Sequence, residues 1–89
     1  MEKSQIAENL EKYPRGISVH LKWDRGNGEV EREYIYLGRN VFDGIPILAD
    51  SKNFYNGVAT FFDFSNQYID IRDVSVTTYK SIEGLINLK

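Results

Sequence analysis

Few residues of this chain are suited to catalysis or metal binding. There is one histidine, His20, and there is no cysteine. A strand histidine can act as a general base beside a carboxylate or as a metal ligand. The candidate carboxylates lie late in the chain, at Asp63, Asp70 and Asp73. Because a metal site needs several convergent ligands, we favour a surface histidine opposite Glu33 or Ile35. We therefore expect no enzyme, no metal and no cofactor.

Arginines interleaved with aromatic rings are the second chemical feature. Arg32 alternates with Tyr34 and Tyr36, which places it on the apolar face of a strand. A charge there is costly unless it stacks, pairs or extends past the end of the sheet. An arginine among rings can also bind a planar anion by stacking and bidentate hydrogen bonds. We favour the interpretation in which Arg32 extends past the end of the sheet. If Arg32 binds an anion instead, the candidate ligand site consists of Trp23, Arg25, Arg32, Tyr36 and Arg39, with Phe54 and Tyr55 in a loop that can close over it.

Apolar side chains on otherwise polar strand faces are the third feature. Ile35 and Leu37 alternate with the tyrosines and so share the face of His20. Phe61 and Tyr68 similarly fall among charged residues of a later segment. Apolar groups mixed with charges indicate a surface that something covers, either another part of the chain or a partner. These four residues are the candidate protein interface, and we expect a homo-oligomer.

The composition excludes several classes of protein. The chain has 89 residues, with 11 Lys and Arg against 13 Asp and Glu. This length predicts one domain, residues 1–89, and the absence of cysteine excludes a disulfide framework. A net charge of −2 argues against a DNA-coating protein, whose affinity requires many neutralised phosphates. The start is polar and no apolar run approaches the ~20 residues of a membrane span, so we expect no signal peptide and a cytoplasmic location.

The first half of the chain predicts a helix followed by a hairpin. Residues 4–13 place apolar side chains at helical spacing, with Ser4 as the expected N-cap and Pro14 and Gly16 as the stop. Apolar and polar residues then alternate over 17–24 and 29–37, which is typical of half-buried strands. The turn between them centres on Gly26-Asn27 or on Asn27-Gly28. Either register puts Trp23 and Arg32 on the same face.

The second half predicts a short strand and another hairpin. Residues 45–49 form the strand, and Pro46 places it at a sheet edge or at the start of pairing. Residues 50–57 are expected to be a loop. The strands of the second hairpin are 58–64 and 67–76, joined at Ser65-Asn66, with Phe62 opposite Ile69. Residues 81–88 have helical spacing, weakened by Gly84.

These elements predict an α+β fold: an antiparallel sheet of four to five strands, two hairpins, an N-terminal helix and a possible C-terminal one. In profile, the chain looks like the small accessory or inhibitor proteins of bacteriophages and mobile elements. The function we expect is a non-enzymatic binding or inhibitor module, which sequesters a small anionic, nucleotide-like ligand or a host protein. The alternative is single-stranded nucleic-acid binding on an aromatic sheet face, although the net negative charge disfavours it.

Overall fold

The computed structural model describes residues 2–77 and shows a helix packed on an antiparallel sheet. Helix α1 spans Lys3–Leu10, and α2 spans Ser51–Tyr55. The strands are β1 (Ser18–Asp24), β2 (Glu29–Arg39), β3 (Pro46–Asp50) and β4 (Asp70–Val76). Their order in the sheet is β3-β2-β1-β4, and all neighbours are antiparallel. The predicted α+β fold class is confirmed. The predicted helical spacing of residues 81–88 lies outside the described residues.

Helix α1 forms where the helical spacing predicts it. Ile6, Ala7 and Leu10 are buried on one side of the helix. The predicted N-cap at Ser4 is wrong, since the helix begins at Lys3 and Glu2 holds the N-cap position without a side-chain hydrogen bond. The helix ends at Leu10, ahead of Pro14, whose missing N–H and ring disfavour further helix. Its buried side joins the core of the sheet.

The first hairpin follows the predicted alternation. Asp24 pairs with Glu29, which is the register of the Gly26-Asn27 alternative. Gly26 and Gly28 have φ values of 101° and 121°, a region that L side chains rarely adopt. We call the two sides of the sheet the core face and the polar face. On β1 and β2 the core face carries Val19, Leu21, Trp23, Val30, Arg32, Tyr34 and Tyr36. The polar face carries Ser18, His20, Lys22, Glu31, Glu33, Ile35 and Leu37.

The second hairpin is formed by β2 and β3, and the predicted pairing of 58–64 with 67–76 is wrong. Strand β3 is an edge strand that begins at Pro46, as that residue predicts. Residues 58–64 form no strand and touch β3 only through an isolated bridge between Ala49 and Phe61. Strand β4 pairs instead with the free edge of β1, with Leu21 opposite Val74. Phe62 and Ile69 are both buried in the core, so the segment between them covers the sheet instead of forming a hairpin.

The predicted loop over residues 50–57 is also wrong at its start, because it contains α2. The Asp50 carboxylate accepts hydrogen bonds from the backbone N–H groups of Lys52 and Asn53, at 3.1 and 3.3 Å. These bonds satisfy donors that the first turn of a helix leaves unpaired. Helix α2 lies against β2 and β3. It therefore follows the edge strand without an intervening loop.

The core lies between the core face, α1 and the segment before β4. Four residues that the alternation assigns to the core are buried, namely Leu21, Tyr34, Phe62 and Ile69. Phe62 packs edge-to-face on Tyr34, with ring centroids 5.4 Å apart, and on Phe64 at 6.2 Å. The burial of Phe62 and Ile69 was thus predicted correctly although their pairing was not. The segment 60–69 crosses the core face from the β3 edge towards the β4 edge.

Candidate functional sites

The residues predicted to bind a ligand divide between two places. Trp23, Arg25 and Arg32 line one pocket of about 220 Å³, which we call the Trp23 pocket. Its other lining residues are Tyr34, Asp50, Thr60, Phe61, Phe62, Asp63 and Ile69. Tyr36 and Arg39 line a separate depression beside Glu11 and Arg15. The five arginines and rings therefore do not form a single site.

The aromatic wall of the Trp23 pocket is held by hydrogen bonding and ring packing. The Trp23 Nε1–H donates to the Tyr34 hydroxyl over 3.1 Å. The Phe62 ring packs edge-to-face on Trp23, with centroids 5.7 Å apart. Burial raises the pKa of Tyr34 above its ordinary value, while the Trp23 hydrogen bond acts in the opposite direction. The phenol is therefore neutral at physiological pH and serves as a fixed acceptor.

Arg32 forms an ion pair, which neither alternative drawn from the sequence had specified. Its Nη1 lies 3.1 Å from Asp50 Oδ2, and the Arg32 side chain is 55% exposed. Asp50 is only 6% exposed. Burial alone would raise the pKa of Asp50, but hydrogen bonds from the Asn53 backbone, Arg32 and the Lys52 backbone lower it overall. Asp50 is thus an ionised, buried carboxylate, and Arg32 reaches solvent only in part.

The charges lining the Trp23 pocket balance. Arg25 and Arg32 contribute two positive charges, while Asp50 and Asp63 contribute two negative ones. The carboxylate of Asp50 is already committed to Arg32 and to the start of α2. An anion that enters this pocket meets two cations. Arg25 forms no ion pair with the described residues, whereas Arg32 is paired with Asp50. The electrostatic preference for an anion is correspondingly modest.

Arg39 joins two parts of the fold. Its Nε donates to the Gly44 carbonyl over 2.6 Å, and its Nη1 donates to Glu11 Oε2 over 2.9 Å. Tyr36 is 2% exposed, and burial raises its pKa. These contacts connect α1 to the loop between β2 and β3. The predicted ligand role of Arg39 would require giving them up.

The two aromatic residues predicted to close over the ligand lie in α2. Phe54 is 42% exposed and does not line the Trp23 pocket. Tyr55 is the last residue of α2, and the predicted role of its side chain lies outside what the structure describes. Closure of Phe54 over Trp23 would therefore require α2 to move.

The most exposed apolar side chains belong to a loop that the sequence analysis did not single out. Val41 is 87% exposed and Phe42 is 94% exposed, both in the β2–β3 loop, residues 40–45. Asn40 Oδ1 accepts from the Phe42 N–H at 2.8 Å, and the Asn40 carbonyl accepts from the Gly44 N–H at 2.8 Å. The flanking Asn40 and Asp43-Gly44 are turn residues, and they were the available signal.

A groove of about 330 Å³, which we call the loop groove, lies beside this loop. Its lining residues are Asn40, Asp43, Ile45, Pro46, Ile47, Leu48, Phe61, Phe62, Asp63, Phe64 and Ser65. Phe61, predicted to lie at an interface, is 54% exposed on this groove. Asn40 and Asp43 of the β2–β3 loop line the groove, so the exposed Val41 and Phe42 lie on the loop that borders it.

The other predicted interface residues lie elsewhere. Tyr68 is 74% exposed but does not line the loop groove, so the structure does not place it on a common strand face with Phe61. Ile35 is 7% exposed, and Leu37 is half-buried. Ile35 is therefore covered by the chain itself, which is one of the two alternatives given above.

The polar face carries His20 in contact with a glutamate side chain. His20 pairs with Glu33 in the register, and its Nε2 lies 2.7 Å from Glu31 Oε1. No group of three or more His, Asp or Glu residues within 2–77 is arranged to hold a metal ion. Neither helix among these residues is long and apolar enough to cross a membrane.

The chain was compared with protein families, curated proteins and solved structures. No protein-family model, no curated protein and no solved structure matches this chain.

Proposed function

We propose that the chain is a non-enzymatic binding module that holds a partner protein through the surface formed by the β2–β3 loop and the loop groove. The observation that carries the proposal is the exposure of Phe42, at 94%, next to Val41, at 87%. Adjacent exposed apolar side chains cost solubility, and contiguous apolar patches mark interaction sites. Aromatic side chains also dominate the energetics of protein interfaces.

The way the β2–β3 loop is held supports this function. The hydrogen bonds at Asn40 fix the loop backbone, and the Asp43 side chain accepts from the Ile45 N–H over 3.0 Å. Arg39 anchors the Gly44 carbonyl from the strand side. A loop ordered before binding loses little conformational entropy when a partner docks. The backbone at Phe42 is therefore held in place before a partner binds.

The ion pairs that three arginines form within the fold favour a protein partner over a small anion. Arg32 pairs with Asp50, Arg39 with Glu11, and Arg72 with Asp70 at 3.1 Å. Charges satisfied inside the fold offer less to an anionic ligand. The exposed apolar surface, by contrast, has no such internal use among the described residues.

Substitution of Phe42 tests the proposal. Tagged wild-type chain, a Phe42→Ser variant and a Val58→Ser variant are each used to capture partners from a lysate of the source organism. Val58→Ser is the matched control, because Val58 is also apolar and exposed but lies off the loop groove. We expect a protein retained by the wild type and the control to be lost with Phe42→Ser. Capture that is unchanged by Phe42→Ser, or no specific capture at all, contradicts the proposal.

A small anionic, nucleotide-like ligand is the second candidate. It is favoured by the convergence of Trp23, Arg25 and Arg32 on one pocket. At 100 times Kd, such a ligand stabilises the fold by about 2.7 kcal/mol, which raises the melting temperature by several degrees. A nucleotide screen read by melting temperature and Trp23 fluorescence tests it. Arg25→Ala should remove the shift, whereas Arg72→Ala should not. No shift with any nucleotide rejects this candidate.

Self-association is a third form of partner binding, predicted at Phe61 and Tyr68. Sedimentation of the wild type at increasing concentration, beside a Phe61→Asp variant, tests it. A larger wild-type species that Phe61→Asp dissociates supports a homo-oligomer, and a monomer throughout contradicts it. Single-stranded nucleic-acid binding has weaker support, because exposed Phe61 lines its groove with two acids and no basic residue.

A further inference from the structure

We propose that the loop groove receives a short segment of the partner that carries an apolar side chain flanked by lysines or arginines. This inference rests on the proposed protein-binding function and specifies the chemistry of the partner. It follows from the shape of the groove, the apolar part of its lining and the sign of the charges at its rim.

The groove exists because the segment that follows Phe61 pairs with β3 over only part of its length. The Phe62 N–H donates to the Leu48 carbonyl over 2.8 Å, and Ala49 bridges to Phe61. Towards the start of β3 the pairing stops, because the Phe64 N–H donates to the Phe62 carbonyl over 2.9 Å and Pro46 has no N–H to donate. The space left between Pro46 and the 61–65 segment is the loop groove.

The lining of the groove suits an apolar side chain. Its accessible aliphatic side chains are Ile45 and Ile47, which are half-buried, while Leu48 beneath them is fully buried. The opposite wall includes Phe61, which is half-exposed, and Phe64, which is buried. A side chain of leucine or phenylalanine size that covers this surface gains free energy by removing apolar area from water.

The charged residues at the groove are both acidic. Asp43 and Asp63 line it and are exposed, and no lysine or arginine lines it. Two carboxylates at the edge of an apolar groove attract a cationic segment and repel an acidic one. Charge complementarity therefore selects a basic segment as the occupant.

The same charges disfavour a second copy of this chain in the groove. Among the described residues, the most exposed large apolar side chain that a second copy would offer is Phe42, and the residue after it is Asp43. Seating Phe42 of one copy in the groove of another would bring that carboxylate to a rim that already carries two. Like charges placed together across an interface are unfavourable. A basic segment of another protein meets no such repulsion.

Three synthetic peptides test the inference on the full chain, labelled with ¹⁵N. Each is a hexapeptide: Leu-Phe between pairs of lysines, Leu-Phe between pairs of glutamates, and Ser-Ser between pairs of lysines. We expect the lysine-flanked Leu-Phe peptide to shift the amide signals of Ile47, Phe61 and Ser65. It should bind at least about fivefold more tightly than the glutamate peptide at low salt, with the difference reduced as salt rises.

The double variant Asp43→Asn, Asp63→Asn tests whether the two groove carboxylates cause the preference for the lysine peptide. Asparagine at position 43 keeps an oxygen that can accept from the Ile45 N–H. We expect the double variant to bind the lysine and glutamate peptides equally. The matched control, Asp73→Asn, removes an exposed acid from β4 and should leave the preference unchanged.

The outcomes separate this inference from the function on which it rests. Equal groove shifts with the lysine and glutamate peptides overturn the basic partner while leaving protein binding intact. Equal binding of the Ser-Ser peptide shows charge attraction without a groove and overturns the inference. The inference is also overturned if no peptide shifts the amide signals of the groove residues. It is overturned as well if those signals shift with protein concentration alone. In those cases the Phe42→Ser capture experiment still decides the proposed function.

Discussion

Arg32 on β2 donates a hydrogen bond to Asp50 at the end of β3 over 3.1 Å, while the other carboxylate oxygen of Asp50 holds the first turn of α2. One buried carboxylate therefore connects a strand, the edge strand beside it and the helix that follows. The Trp23 pocket depends on this connection, because both residues line it.

Substitution of Asp50 separates its two contacts. Asp50→Ala removes the helix cap and the partner of Arg32, and we expect a loss of about 1–3 kcal/mol in the free energy of unfolding. Asp50→Asn keeps an oxygen that can cap α2 and should cost less. Urea unfolding of both variants measures the difference. Equal losses would show that the cap contributes nothing.

The contribution of Asp50 should also depend on pH. Its pKa is lowered in the folded state, so the stabilisation is complete above the ordinary aspartate pKa of about 4. It is lost as the pH falls through the lower folded-state value. We expect the stability difference between the wild type and Asp50→Asn to shrink below about pH 4. Urea unfolding from pH 7 to pH 3 tests this, and a difference independent of pH is the contrary result.

Truncation of two adjacent phenylalanines should destabilise the fold by very different amounts. Phe62 is 8% exposed and packs on Trp23 and Tyr34, so Phe62→Ala should cost about 3–5 kcal/mol. Phe61 is 54% exposed, and Phe61→Ala should cost less than about 1 kcal/mol. Both values come from denaturant unfolding. A loss below about 1 kcal/mol at Phe62 would mean that it does not belong to the core.

Removal of the Tyr34 hydroxyl should affect stability and fluorescence together. Tyr34→Phe leaves the Trp23 indole N–H without its acceptor, at a cost of about 1 kcal/mol. The emission maximum of Trp23 should shift as that hydrogen bond is lost. Tyr13→Phe is a control of the same chemistry away from Trp23, and it should not move the emission. An unchanged spectrum for Tyr34→Phe would show that the hydrogen bond is absent in solution.

The first hairpin could be predicted because its signals are local. Alternation fixes which side chains of β1 and β2 share a face, and the glycines at 26 and 28 supply the backbone conformation of the turn. Phe62 and Ile69 were likewise assigned to the core by residue type. Burial follows from apolar character even where the pairing partner is unknown.

The rest of the fold depends on contacts between residues that are far apart in the sequence, and the local residue pattern does not reveal those contacts. Strand β4 was predicted to pair with residues 58–64, but it pairs with β1, which lies far from it in the sequence. The capping role of Asp50 had a signal in its position before α2, whereas its pairing with Arg32 depends on the β2–β3 register. The exposure of Phe42 was missed because an aromatic residue type ordinarily indicates burial, and only the flanking turn residues indicated a loop.

The strand order β3-β2-β1-β4 has a consequence for the order of folding events. Strands β1, β2 and β3 pair with their neighbours in the chain, so their contacts close only short loops. Strand β4 reaches β1 only after residues 51–69 have crossed the core face, which delays its pairing. In stopped-flow kinetics, Leu48→Ala should therefore slow refolding, whereas Val74→Ala should chiefly accelerate unfolding. The last ladder to form is then the first to open, and the edge of β1 is the strand edge that this chain exposes while it folds.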